Sequence, residues 1–261
     1  MLQPKKAPRM AKNDDALIHI SDIPLAVALL SRLPVRVAET SRGAKAAWAY
    51  PLVGLIVGGL SALMGLLALG LGLPTLLVAL LSLSMLVVLT GAMHEDGLAD
   101  TADGLWGGWD RAARLQIMKD SHIGSYGVIA LFLVQSARWG ALWVLYDTNV
   151  AHAIAALIAS SILSRATMPA LMAILPHARA DGLSRNVGSV STATAGLGAA
   201  LAATLALLLL GGSCFQAIVW AILVTVVIGA IARTKIGGQT GDILGATQQI
   251  AEVAVLLSLV P

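Results

Sequence analysis

HEDGLADTADGLWGGWDRAARLQIMKDSHIGSYG, residues 94–127, holds six of the chain's fourteen carboxylates and three of its seventeen Lys and Arg, between flanks that are almost pure hydrocarbon. Hydrophobic residues make up 57% of the 261 and charged residues 12%, with a mean hydropathy of +0.84. Such a composition lies far outside the range of soluble domains and excludes a soluble globular protein. The acidic island is therefore polar chemistry held by a membrane scaffold. Working outward, apolar runs over 48–72, 74–93, 125–146, 150–175, 194–211, 214–232 and 243–260 are each long enough, at about 1.5 Å per residue, to cross roughly 30 Å of hydrocarbon. The fold expected is an all-α polytopic membrane protein, a bundle of about seven transmembrane helices. Residues 23–30 are too short to span and end in SRLPVR, so they predict an interfacial or re-entrant helix on the cytoplasmic side. Residues 111–119 predict an amphipathic helix on the same surface, with Trp106 and Trp109 at headgroup level. Residues 1–15 mix Lys5, Lys6, Arg9 and Lys12 with polar residues and prolines and read as a disordered basic cytoplasmic tail, leaving 16–261 as one integral-membrane domain.

Within the acidic run, Asp96, Asp100 and Asp103 fall at i, i+4 and i+7, which on a helix gathers them on a stripe about 60° wide. Three like charges there repel one another unless a cation sits among them, and the hard oxygen donors suit Mg²⁺ with a substrate's phosphates as further ligands. Glu95 lies off the stripe. Gly97, Gly104, Gly107 and Gly108 let backbone approach a bulky ligand. Arg111, Arg114 and Lys119 follow at once, so cations able to hold phosphate lie beside the candidate metal site, the polarity pattern of phosphoryl transfer.

Placing the basic N-terminus inside puts the segments 94–124, 176–193 and 233–242 on the cytoplasmic side, with fifteen of the seventeen Lys and Arg there, two within spans and none outside. The net charge of +3 and pI near 9.2 thus reflect topology and not nucleic-acid binding. One cysteine, Cys214, excludes an intramolecular disulfide and a cysteine-based metal site. Arg138, Arg165 and Glu252 sit at matching depth near the middle of their spans. Glu252 is therefore expected to pair with one arginine, while the other reaches a backbone carbonyl or the substrate.

The runs HEDGLADTADGL (94–105) and IMKDSHIGSYG (117–127), with SRLP (31–34), ARADGL (178–183) and GGQTGDILGA (237–246), closely resemble the signatures of the cobalamin synthase family, the adenosylcobinamide-GDP ribazoletransferases of bacterial vitamin B12 assembly. His122 stands where many members carry Arg, and Ser125 where Thr is common. The resemblance implies a Mg²⁺-dependent enzyme of the bacterial cytoplasmic (inner) membrane that joins adenosylcobinamide-GDP to α-ribazole or its 5′-phosphate and releases GMP. It assigns Asp96, Asp100 and Asp103 to the metal and the chemistry, with Glu95 and Asp242 completing the ligand set. Lys119, Arg32 and Arg179 would hold pyrophosphate or nucleotide. Asp120 or Asp181 would accept the hydroxyl proton, and Ser121, His122, Tyr126, Gly238 and Thr240 would border the substrate. A homo-oligomer, or association with other cobamide-assembly enzymes, goes with the same reading. DTADG (100–104) also matches the opening of a CDP-alcohol phosphotransferase motif, but Gly107-Gly108 replace the Ala-Arg expected next and the later paired aspartates are missing. A secondary transporter, suggested by the three buried charges, would need broken helices at the midplane, and no pair of interrupted runs is evident.

Overall fold

A computed structural model describes residues 16–37 and 40–261. The tail expected over 1–15 lies outside the described residues. The helices are α1 (Asp22–Leu30), α2 (Tyr50–Gly70), α3 (Thr75–Thr90), α4 (Met93–Gly107), α5 (Arg111–Ile117), α6 (Ser125–Thr148), α7 (Val150–Ile174), α8 (Leu183–Val187), α9 (Thr192–Leu210), α10 (Cys214–Ile236) and α11 (Gly241–Ser258). A 3₁₀ turn over Gly43–Ala49 leads into α2, and another over Gly211–Ser213 joins α9 to α10. The only pairing of extended backbone among the described residues is an isolated bridge between His177 and Gln239.

Four segments are long and apolar enough to cross a membrane, 43–70, 125–148, 150–174 and 192–236, and a fifth if α3 and α4 are taken as one broken span bent by 87°. The count falls short of the seven expected for three physical reasons. The run 192–236 has 45 residues, about 68 Å of helix, twice what a bilayer needs. α3 has only 16 residues, and α11 is diluted by Asp242, Thr247, Gln248, Gln249 and Glu252.

Two apolar clusters order the bundle. One gathers Leu145, Tyr146, Ala206, Cys214 and Leu259, and the other Trp48, Met172, Ala195, Ile236 and Ile243. α9 starts in the second cluster and α10 ends there, so the chain folds back at Gly211, whose φ of +56° only glycine adopts readily. α1, α4, α5 and α8, with the polar segments between helices, gather around the second cluster's end.

α7 runs through the centre, packed by α2, α9 and α11. Gly54 and Gly58 of α2 make the closest crossing. A Cβ on Gly54 would stand 2.2 Å from the Ser161 carbonyl oxygen, so the small-residue spacing serves helix packing, as the sequence suggests. Gly97, Gly104 and Gly108 of the acidic run also serve packing, and Gly97 lines a cavity as well. A Cβ on Gly97 would meet the Asp242 backbone at 3.0 Å, one on Gly104 the Met118 side chain at 2.4 Å, and one on Gly108 Arg114 at 2.6 Å.

α1 is tied to the bundle by buried Asp22, which receives hydrogen bonds from Arg42 Nε at 2.6 Å and Trp48 Nε1 at 2.8 Å. Burial opposes the charge, but those donors outweigh it and hold the Asp22 carboxyl below its usual value.

Candidate active site

α4 is a helix over the whole predicted stripe, and it turns away from α3 at 87° with four acids in fifteen residues, which sets Asp100 outside the spanning segments. The stripe then splits. Asp103 points to the start of α6, where its carboxylate accepts from Gly124 N at 2.7 Å and Gly127 N at 2.9 Å. Its charge complements a helix N-terminus. Asp96 and Asp100 remain with Asp242, from the first turn of α11, and with Arg179, whose Nη2 donates to Asp242. Burial, then the charges of Asp96 and Asp242, push the Asp100 carboxyl up to about 7, against the pull of Arg179. Crowded carboxylates of this kind fit a divalent cation, which would relieve the repulsion. Among the described residues no three such groups converge closely enough to coordinate an ion by themselves. Mg²⁺ asks less than that, since one or two carboxylates with substrate phosphates and water complete its shell.

Glu95 faces the opposite way. Its Oε1 accepts from Arg138 Nη1 at 3.2 Å and Gln249 Nε2 at 3.1 Å, inside a buried network that ties α4 to α6 and α11. Arg138 also donates to Glu252 Oε1 at 2.5 Å, Gln135 at 2.7 Å and Gln249 at 2.8 Å. The expected ion pair of Glu252 is present. Arg165 lies 3.7 Å from its other oxygen and donates to the Ser161 carbonyl at 2.9 Å, the backbone partner foreseen for the remaining arginine.

A cavity of about 300 Å³ opens beside these acids. Asp96, Arg179, Asp181, Thr240 and Asp242 border it, together with buried His94, Ser184 and Gln239 and with Leu30, Tyr50, Met93, Met168, Met172 and Leu244. Thr240 caps α11 by accepting from Ile243 N at 3.3 Å, so the turn is both a helix start and a cavity wall. Gly238 backs this wall from behind, since a Cβ there would meet the Pro176 carbonyl at 2.1 Å.

The remaining predicted residues are dispersed. Arg111 donates to the carbonyls of Ile236 at 2.8 Å and Ala178 at 2.7 Å, and Arg114 to Lys235 and Trp109 carbonyls. Both complete the C-terminus of α10, which cations stabilise. Lys119 bonds Asp181 at 2.5 Å across the cavity rim, and that ammonium holds the Asp181 carboxyl below its usual value. Asp120 pairs with His122, which likewise lowers it. Asp120, Ser121, His122 and Tyr126 are exposed and lie off the cavity lining. Arg32 is exposed, its chain lying over Gly91.

Sequence reasoning missed Tyr50, His177 and Arg185, all of which line the cavity. Tyr50 carries no sequence signal at the head of an apolar run. Arg185 sits just beyond the ARADGL run. Burial, then Arg185, hold His177 below its usual value, so its ring is neutral near pH 7, with Nδ1 2.9 Å from Gln239 Nε2.

An all-helical membrane protein with carboxylates and arginines among the side chains that line one cavity defines a class, the integral-membrane proteins that carry a charged site at one end of a helix bundle. Residues 22–260 match the profile of the cobalamin-5-phosphate synthase family. The chain is 43% identical to an adenosylcobinamide-GDP ribazoletransferase of Mesorhizobium japonicum over 91% of its length and 92% of the relative's. It is 41% identical to the enzyme of that name from Bradyrhizobium diazoefficiens, over 91% and 92%, and 40% identical to that from Azorhizobium caulinodans, over 92% and 95%. No solved structure matches. The chain belongs to the cobalamin-5-phosphate synthase family.

Proposed function

We propose that this protein is an adenosylcobinamide-GDP ribazoletransferase, carrying out the final assembly step of cobalamin. A hydroxyl of α-ribazole, or of its 5′-phosphate, attacks the cobinamide-linked phosphorus of adenosylcobinamide-GDP. The bond from that phosphorus to the GMP oxygen breaks, GMP leaves as a phosphate, and the hydroxyl proton passes to a base. The observation that carries this reading is the presence of Asp96, Asp242 and Arg179 in the lining of one cavity, with Asp100 close enough to feel their charges, in a chain of this family. One or two of those aspartates, with the substrate's phosphates and water, would hold Mg²⁺, which neutralises phosphate oxygens when bound. Arg179 and Lys119 would orient the diphosphate. Asp181, on the cavity rim, is better situated than Asp120 to take the proton. Asp103 and Glu95 act by fixing α4 against α6 and α11.

The seven apolar runs would be seven spans, with the cavity end toward the cytoplasm of the inner membrane, where the excess of Lys and Arg favours it. Purified protein given Mg²⁺, adenosylcobinamide-GDP and α-ribazole is expected to release GMP, and to stop when the metal is chelated. GMP release that does not depend on the acceptor would refute the transfer.

A further inference from the structure

Resting on the reaction proposed above, we infer that Arg185 and His177 form a phosphate subsite apart from the aspartates, which takes the 5′-phosphate of a phosphorylated acceptor and makes α-ribazole 5′-phosphate preferred over α-ribazole. Two arginines line the cavity, and Arg179 is engaged by Asp242. Arg185, on α8, is exposed, and its guanidinium makes no hydrogen bond or ion pair among the described residues. Its planar fork of N–H donors suits phosphate oxygens. His177 is oriented by two buried side chains. Ser184 Oγ donates to Gln239 Oε1 at 2.6 Å, which turns the amide so that Gln239 Nε2 donates to His177 Nδ1 at 2.9 Å. Backbone bonds from Gln239 N to the Pro176 carbonyl at 2.8 Å and from Ala178 N to the Gln239 carbonyl at 2.9 Å hold the two segments together. A neutral ring with Nδ1 so occupied carries its hydrogen on Nε2. Ser189 Oγ lies 3.5 Å from that nitrogen, at the limit of a hydrogen bond, so the N–H remains available to a ligand.

Arg185 and His177 Nε2 thus offer donors alone, and an oxyanion accepts from both. The substrates carry phosphate in two places, the diphosphate of the donor and, where present, the 5′-phosphate of the acceptor. The two phosphorus atoms of the donor share one bridging oxygen, so both lie where Asp96, Asp242 and Arg179 are. Arg185 is the one charge that shifts His177, whereas Arg179 and the aspartates of the lining do not reach it. A phosphate held by Arg185 and His177 is therefore separate from the diphosphate, and the acceptor's 5′-phosphate is the group that remains. All these side chains line one cavity of about 300 Å³, the size of a small-molecule site. An acceptor whose ribose hydroxyl meets the phosphorus beside Asp96 and Asp242 can extend its phosphate along the same lining to Arg185.

The test is steady-state kinetics of the full-length protein in detergent with Mg²⁺, with α-ribazole and α-ribazole 5′-phosphate as alternative acceptors and GMP release as the readout. Wild type is expected to show the lower KM for the phosphorylated acceptor. Arg185→Gln should raise that KM at least about tenfold more than it raises the KM for α-ribazole, the worth of a hydrogen bond to a charged group. His177→Phe, which keeps a flat ring and removes both nitrogens, should shift the same ratio by a smaller factor, about threefold to tenfold. Arg185 is exposed and has no partner within the described protein, so Arg185→Gln should fold as wild type does. Equal losses with both acceptors, a shift confined to the KM of adenosylcobinamide-GDP, or a wild type without preference for the phosphorylated acceptor overturns the assignment. A loss with both acceptors that anionic lipid restores does so too, since Arg185 then serves the membrane surface. A wild type that releases no GMP with either acceptor defeats the reaction itself, whereas release with a preference that Arg185→Gln leaves unmoved defeats only this subsite.

Discussion

Replacing Glu252 by Gln should destabilise the bundle more than any other isosteric change in it. Glu252 and Arg138 are both essentially inaccessible, and Arg138 Nη2 stands 2.5 Å from Glu252 Oε1. Together with Glu95 and Arg165 they form a set of two buried acids and two buried bases whose charges cancel. Glu252→Gln would leave that set one positive charge in excess, with Arg165 deprived of its only acid within 4 Å among the described residues. Removing one partner of a buried pair costs about 3–5 kcal/mol, because the survivor stays buried. For a chain of this size about 2–4 °C of Tm accompanies each kcal/mol, so the loss should be roughly 6–20 °C, read by thermal unfolding in detergent. Arg138→Met should cost a similar amount, since it strands Glu95 and Glu252 together. The double variant should fall short of the sum by about 1–3 kcal/mol, the coupling expected of contacting residues. A Glu252→Gln protein that melts within about 2 °C of wild type, or a strictly additive double variant, would refute the network as a stabilising unit.

Asp96→Asn and Asp100→Asn should each lower turnover by at least about 10²-fold with little change in Tm, since each removes a charge from the carboxylate group beside the cavity. Asp103→Asn should instead lower Tm, because it weakens two hydrogen bonds that start α6; unchanged Tm with lost activity would return Asp103 to the metal. Activity should require Mg²⁺ or Mn²⁺, and full turnover in excess EDTA would exclude a metal held by hard oxygens. The pH dependence follows from Asp100, whose folded value of about 7 lies above the ordinary 3.8. The folded protein therefore binds this proton more tightly than the unfolded chain does, and metal-free protein should lose stability as pH rises from 3.8 through about 7. Mg²⁺ or Asp100→Asn should flatten that slope, and a slope that survives Asp100→Asn belongs to another group. Gly54→Ala should reduce the yield of folded protein, since its methyl carbon would stand 2.2 Å from a backbone oxygen of α7; normal yield would mean that α2 and α7 can separate at little cost.

Hydropathy and periodicity alone located nearly every helix, because lipid demands long apolar runs and because an i, i+4, i+7 spacing fixes a common helical face wherever a helix forms. The pairing of Glu252 with the arginines was likewise legible, since a buried charge needs a partner and depth along a helix is countable. Which neighbour each side chain meets was not. A stripe about 60° wide still spans the angle between two neighbouring helices, so Asp103 could turn to α6 while Asp96 and Asp100 turned to α11. Gly97, spaced among acids like a ligand contact, became the crossing point with Gly245 of α11. Arg111 and Arg114 met the carbonyls at the end of α10, more than a hundred residues away in sequence. Tyr50, Arg185 and His177 joined Asp96 and Asp242 around one cavity only because α2, α8 and the segment before it, α4 and α11 converge there. Local sequence determines the helix and the direction of each side chain on it; the packing of helices distant in the chain decides what that side chain touches.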